Sequence, residues 1–445
     1  MVSIEDSQPP CSPSLFNSSS SISTSKIQRS QGRSMRTIRS TLFQNTGNPT
    51  GISENLTDSV IDFRLEELAT AVDTNKSSHQ SCSETLQFLD LSQAFSDYSG
   101  CSSDISGELQ RLSCLPSAED LRGDDSSLDQ EPWLGFLQKG NFSSEVFDGI
   151  SPENLQQAVD ICLQGLQSPS TDIKRSAAAK LRFLAKNRSE NRAVIGESGA
   201  VAALISLLRC SDPWTQEHAV TALFNLSLHE ENKSVITDSG AIKPLVYVLK
   251  TGTEVSKQNA ACALLSLALI EDNKISIGVC GAIPPLVSLI IQGSNRGKKD
   301  ALTTLYKLCT VKQNKERAVS AGAVRPLVDL ISAQGSGLFD KAMVVLSSLA
   351  GIKEGKSSIV DEGGISVLVD AIEEGSVKGK EFAVLTLLQL CSNSVRNRAL
   401  LVSEGGIPPL VSLSQSGTTR AKNKAETLLK YLREPRPDAS SSSSP

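Results

Sequence analysis

The chain has 445 residues, of which 39% are apolar but only 4% aromatic. A core that large built almost without rings argues against a β-sandwich or barrel and for packed helices of Leu, Ala, Val and Ile. The net charge of −5 divides into −11 over residues 1–150 and +6 over residues 151–445, which describes an acidic arm joined to a mildly basic domain and excludes a general nucleic-acid binder.

Residues 7–53 contain no acid, the first 50 residues hold 13 Ser, and five bases cluster at Lys26, Arg29, Arg33, Arg36 and Arg39. Such a composition cannot bury enough surface to fold. A solvated linker is the simplest reading. A phosphorylatable or nuclear-localising patch comes next, and a transit peptide, opposed by Glu5 and Asp6, last. From 51 to 150 the chain carries 19 acids against 5 bases, with short apolar islands such as Val60–Leu68 and Leu86–Phe95. Residues 1–150 are therefore expected to be mostly disordered, Ser-rich and then acidic, as is the Ser-rich tail 434–445.

Between them, residues 151–433 repeat. Glycines stand at Gly199, Gly240, Gly281, Gly322, Gly363 and Gly405, in steps of 41 and finally 42 residues. Eight residues before each glycine comes Asn191, Asn232, Asn273, Asn314, Gly355 or Asn397, read as the N-cap of a short first helix such as Asn232–Asp238. The glycine supplies the left-handed turn that ends this helix, and Pro244, Pro285, Pro326 and Pro409 open the second. A third helix shows the i, i+4, i+7 stripe of a buried face, as in Ala219, Leu223 and Leu226. Its leading alanine recurs as Ala260, Ala301, Ala342, Ala383 and Ala425, which lets neighbouring third helices approach closely. No unit of this size buries its apolar face alone, so the units must stack.

These residues resemble the armadillo-repeat proteins, whose three-helix units form an all-α, right-handed solenoid. The resemblance covers roughly residues 151–433. More narrowly, Thr215–Lys233 and Arg296–Cys309 resemble the armadillo domains of plant U-box ubiquitin ligases and of their U-box-less relatives. Residues 155–184 read as a leading cap without the short first helix, and Arg420–Leu432 as the closing helix. In this family the third helices line a concave groove.

Counting positions off the buried stripe places Trp214, His218, Thr221 and Asn225 on that face in one unit. The next units add Asn259 and Ser266, then Arg296, Asp300 and Lys307, then Lys341 and Ser348, then Lys378, Phe382 and Gln389, and last Lys424 and Tyr431. Third helices ~10 Å apart give six units a groove of about 60 Å, which an extended segment of about 18 residues spans. The paired Trp and Asn ladder by which nuclear-import adaptors of this fold hold basic signals is missing here. Repeated lysines and arginines favour an acidic or phosphorylated partner instead.

The expected ligand is thus an extended peptide or disordered segment of another protein, such as a kinase, a receptor or a ubiquitin ligase component, and the setting plant signalling. Scarce rings at Trp214, Phe382 and Tyr431, with Phe183 if the first unit keeps register, point to the same face.

Catalysis is not expected. Only His79, His218 and His229 are available as bases, and Gly293–Lys299 mimics a phosphate loop that is one residue short and lacks the Ser or Thr. No cofactor or metal is implied, since the ten Cys contain no C-x-x-C pair and read as reduced thiols. No apolar run approaches ~18 residues and no signal-peptide core opens the chain, so a cytoplasmic or nuclear protein without stable membrane insertion is expected. Nothing in residues 1–150 resembles a U-box. A non-catalytic interaction scaffold is the first reading, and a substrate-recognition component of ubiquitination the alternative.

Overall fold

A computed structural model describes residues 152–333 and 337–433. Residues 1–151 and 434–445, for which the disordered arm and tail were expected, lie outside them. The described residues form twenty helices. A leading pair, α1 (Pro152–Gln167) and α2 (Thr171–Asn187), precedes six three-helix units. The first two units are α3 (Ser189–Glu197), α4 (Ala200–Leu207), α5 (Pro213–Leu226), then α6 (Glu230–Asp238), α7 (Ile242–Thr251), α8 (Glu254–Leu267). The middle two are α9 (Glu271–Val279), α10 (Ile283–Gln292), α11 (Asn295–Leu308), then α12 (Lys312–Ser320), α13 (Val324–Ser332), α14 (Phe339–Leu349). The last two are α15 (Lys353–Asp361), α16 (Gly364–Glu374), α17 (Val377–Cys391), then α18 (Val395–Ser403), α19 (Ile407–Ser416), α20 (Thr419–Arg433).

All six repeat glycines have positive φ, from 72° to 87°, so the left-handed turn between first and second helices is present in every unit. The prolines fall in the first turn of the second helix, where the missing N–H has no helical acceptor to lose. Each third helix packs on the one before it, from α2 through α5, α8, α11, α14 and α17 to α20. The six stripe alanines are fully buried in that row, as expected of a position that sets close approach. A single apolar core runs through the described units, drawn chiefly from Leu, Ala, Val and Ile.

Two periodic signals went unread in the sequence, and both tie down the ends of the third helices. Asp212, Thr253, Ser294, Ser376 and Thr418 each accept a hydrogen bond from the backbone N–H three residues on, satisfying a donor that the helix leaves open. The same cap atoms bond to the preceding third helix. Arg175 donates to Asp212 at 3.0 and 3.1 Å, Thr253 to Glu217 at 2.9 Å, Gln258 to Ser294 at 2.9 Å, Ser376 to Asp340 and Thr418 to Glu381. The 41-residue step places Gly335 where a sixth cap would stand, and α14 starts late, at Phe339, without a side-chain cap.

At the other end, the asparagines are not N-caps, which corrects the sequence reading. The short helix containing Asn232 begins at Glu230, and Asn232 is buried in its first turn. Its amide donates to the carbonyls of Leu226 at 3.1 Å and Arg192 at 2.7 Å, joining the end of its neighbouring third helix to the previous unit. Asn314 does the same with Leu308 and Lys274, and Asn273 donates to the Leu267 carbonyl and the Thr237 hydroxyl. The carbonyls of Leu226, Leu267 and Leu308 also accept from the backbone N–H three residues on, at 3.1 to 3.2 Å, and the buried asparagine amide adds a second donor to each. The residue after each of these positions is basic throughout: Arg192, Lys233, Lys274, Lys315, Lys356 and Arg398. Arg192 donates to the carbonyls of Ala185 and Lys186, and Arg398 to those of Cys391 and Ser392, placing positive charge at the negative end of the helix.

Candidate functional site

The outward edge of the third-helix row is the candidate site. Four of its start positions, two residues past the cap, are Trp214, Arg296, Lys378 and Arg420. Trp214 is 44% exposed, Lys378 and Arg420 are exposed, and Arg296 is half-buried. Further along the helices Thr221, Lys307, Lys341, Gln389, Lys424 and Tyr431 are half-buried. These residues form the part of the expected groove that faces outward.

The other seven expected groove residues are buried: His218, Asn225, Asn259, Ser266, Asp300, Ser348 and Phe382. A face counted from helical spacing is about half covered here, because the small alanine stripe brings the preceding third helix against it. Their side chains therefore work between units. Asn225 donates to the Arg182 carbonyl, Ser266 to that of Ser227 and Ser348 to that of Cys309. Asn259 donates to the Thr221 hydroxyl at 2.7 Å, and Arg296 to Asn259 at 3.3 Å while lying 3.6 Å from Asp300. Lys341 donates to Thr303 at 3.0 Å. Phe382, read as a groove ring, is a core residue at 7% exposure. Tyr431 and Phe183 are half-buried under the guanidinium groups of Arg398 and Arg182, each 5.3 Å from the ring centre. Trp214 is the one groove ring that is exposed. Gln389 occupies the register of Asn225, Ser266 and Ser348, but both its amide atoms are buried without a hydrogen bond.

Charge is distributed unevenly among the helices. The seven third helices, α2 included, carry 18 bases against 7 acids, a net of +11. The remainder of residues 152–433 carries 15 bases against 19 acids, a net of −4. Burial lowers the pKa of Lys307, with Lys274 adding to the effect, and burial likewise lowers that of Lys424.

His218 sits with its Nδ1 3.0 Å from Arg182 Nη1. Burial first, then Arg182 and Arg175, lower its pKa from 6.5 to about 3, against an opposing pull from Asp212. The imidazole is thus neutral and accepts the guanidinium's hydrogen bond. Because the unfolded chain takes up this proton near pH 6.5 and the folded chain does not, His218 favours folding fully above that pH and progressively less as pH falls toward 3. Between pH 6.5 and 5 the loss should be roughly 1.5 kcal/mol. Urea titrations at the two pH values should show that loss in the parent chain and a correspondingly shallower one in His218→Gln; equal slopes would contradict the assignment.

Among the described residues no group of three or more His, Cys, Asp or Glu is placed to hold a metal ion, and no single helix is long and apolar enough to cross a membrane. The thiols of Cys162, Cys309 and Cys391 are buried and pushed up to about 12 by desolvation, which leaves them unreactive.

The model for the plant U-box protein ARM repeat region matches residues 159–443. The E3 ubiquitin-protein ligase SPL11 of Oryza sativa subsp. japonica is 58% identical over 72 residues, which is 16% of this chain and 10% of that protein. U-box domain-containing protein 2 of Arabidopsis thaliana is 42% identical over 161 residues, 35% of this chain and 22% of that protein. The chain thus spans between about a tenth and about a fifth of the length of these relatives. Among solved structures, an engineered protein superposes with a TM-score of 0.56 at 22% identity, over 75% of this chain and 85% of its own. With the 41-residue unit, the glycine turn and the stacked third helices, these matches show that the chain belongs to the plant U-box armadillo-repeat family, as an armadillo scaffold for protein interaction.

Proposed function

We propose that the third-helix row binds an extended acidic or phosphorylated segment of another protein, and that the chain acts in plant signalling as a non-catalytic scaffold. The observation that carries this reading is the separation of charge: 18 of the 33 bases in residues 152–433 lie on third helices, against 7 of the 26 acids. Such a surface steers an anionic chain toward itself and rejects a basic one. Trp214 offers a flat, exposed anchor at one end.

The test uses a fluorescein-labelled 18-residue Glu/Ser peptide, its phosphorylated form and a Lys/Ser counterpart. The parent protein should bind the first two and not the third. The double variant Lys378→Glu, Arg420→Glu alters two exposed positions, so it should fold normally and lose about tenfold in affinity at low salt, less at high salt. Equal binding of the acidic and basic peptides would sink the reading.

A second reading rests on the named relatives, one of which is a ubiquitin ligase. The scaffold would then select substrates for ubiquitin transfer carried out by a separate ligase. Incubation with ubiquitin and its activating and conjugating enzymes tests the premise both readings share: autoubiquitination would show that this chain itself supports transfer.

A further inference from the structure

We infer that the segment Ser117–Glu131 of the chain's own acidic arm docks on the basic edge of α11, α14 and α17 and competes there with the partner. The inference rests on the charge-based reading of the third-helix row given above.

Three observations meet. The segment carries six acids, Glu119, Asp120, Asp124, Asp125, Asp129 and Glu131, and one base, Arg122. It is the densest run of negative charge in residues 1–150. The third helices are not uniformly positive: α5 and α8 together carry two acids and one base, whereas α11, α14 and α17 carry seven bases and three acids. Two of those acids, Asp340 and Glu381, accept hydrogen bonds from the next unit's caps, and the third, Asp300, is buried beside Arg296. The outward edge therefore presents mainly Lys299, Lys341 and Lys378.

The tether has the right length. Twenty residues separate Glu131 from Pro152, where the leading unit begins. The row from that unit to α11 spans three helix spacings of ~10 Å, about 30 Å. Twenty residues reach at most ~70 Å when extended and average about 25 Å when coiled, so span and tether match, the condition for the highest effective concentration. At ~1 mM effective concentration, a segment whose own affinity is only ~0.1 mM occupies its site about nine-tenths of the time. A competing partner then binds about tenfold more weakly. Ser117, Ser126 and Ser127 lie within the segment, so phosphorylation would strengthen the intramolecular contact.

The test compares the full chain with a full-chain variant carrying Glu119→Gln, Asp120→Asn, Asp124→Asn, Asp125→Asn, Asp129→Asn and Glu131→Gln, using the labelled Glu/Ser 18-mer. The variant should bind about tenfold tighter at ~50 mM salt, with the difference shrinking as salt screens the contact. In parallel, carbodiimide should cross-link carboxylates of 119–131 to Lys299, Lys341 or Lys378 at low salt and not at high salt. Equal affinity of parent and variant overturns the docking while leaving the groove reading intact. Tighter binding without those cross-links also overturns it, because the arm would then act from elsewhere. If neither protein binds the probe, the groove reading falls and the docking with it.

Discussion

Replacing Asn314 by alanine is expected to destabilise the protein by about 3 kcal/mol. The side chain is fully buried, and its amide donates to the carbonyls of Lys274 at 2.8 Å and Leu308 at 3.1 Å while its oxygen accepts from Arg317 at 3.0 Å. The Leu308 carbonyl ends α11, where it also accepts from the Val311 N–H at 3.2 Å, and that of Lys274 belongs to the previous unit. Alanine removes three hydrogen bonds, two donated and one accepted, in a place water does not reach, at about 1 kcal/mol each. Urea denaturation followed by circular dichroism measures the change. Asn423→Ala on the exposed face of α20 is the control, expected within about 0.5 kcal/mol. A shift below about 1 kcal/mol for Asn314→Ala would show that the bonds are replaceable.

Gly278→Ala is expected to cost about 2–3 kcal/mol by displacing the same side chain. A methyl group on Gly278 would lie 1.9 Å from the Asn314 oxygen and 2.8 Å from its amide carbon, so the asparagine must leave its socket. The two substitutions should therefore be strongly non-additive. In the Asn314→Ala background the clash is gone, and alanine should be neutral or stabilising by up to about 1 kcal/mol, as in any helix interior. Gly196 stands in the same relation to Asn232, at 1.9 Å, which makes it an independent second case. Additive losses at both pairs would contradict the socket.

The sequence declared the fold through residues that act within one unit. A glycine with positive φ, a first-turn proline and an alanine stripe each answer a local demand, so spacing alone exposes them. The asparagine was visible by the same period, but its partners lie on two other segments, and a local rule therefore assigned it to capping. The groove suffered in the same way. Helical spacing correctly put Asn225, Ser266 and Ser348 on one face with Trp214, yet whether that face meets solvent depends on how closely the previous third helix lies. The Ser, Thr and Asp caps and the run of basic residues after the asparagines were periodic all along, and the 41-residue register would have found both.

The bonds between units described above connect residues 36 to 43 positions apart, so among the described residues they join each unit to its immediate neighbours. This makes chain length a free variable. A unit can be copied or excised as a 41-residue cassette, because its cap, its asparagine and its basic residue find equivalent sockets in whichever neighbour they meet. The last step, of 42 residues, shows that a joint absorbs one extra residue while Asn397 still reaches the Leu390 carbonyl and Thr418 still reaches Glu381.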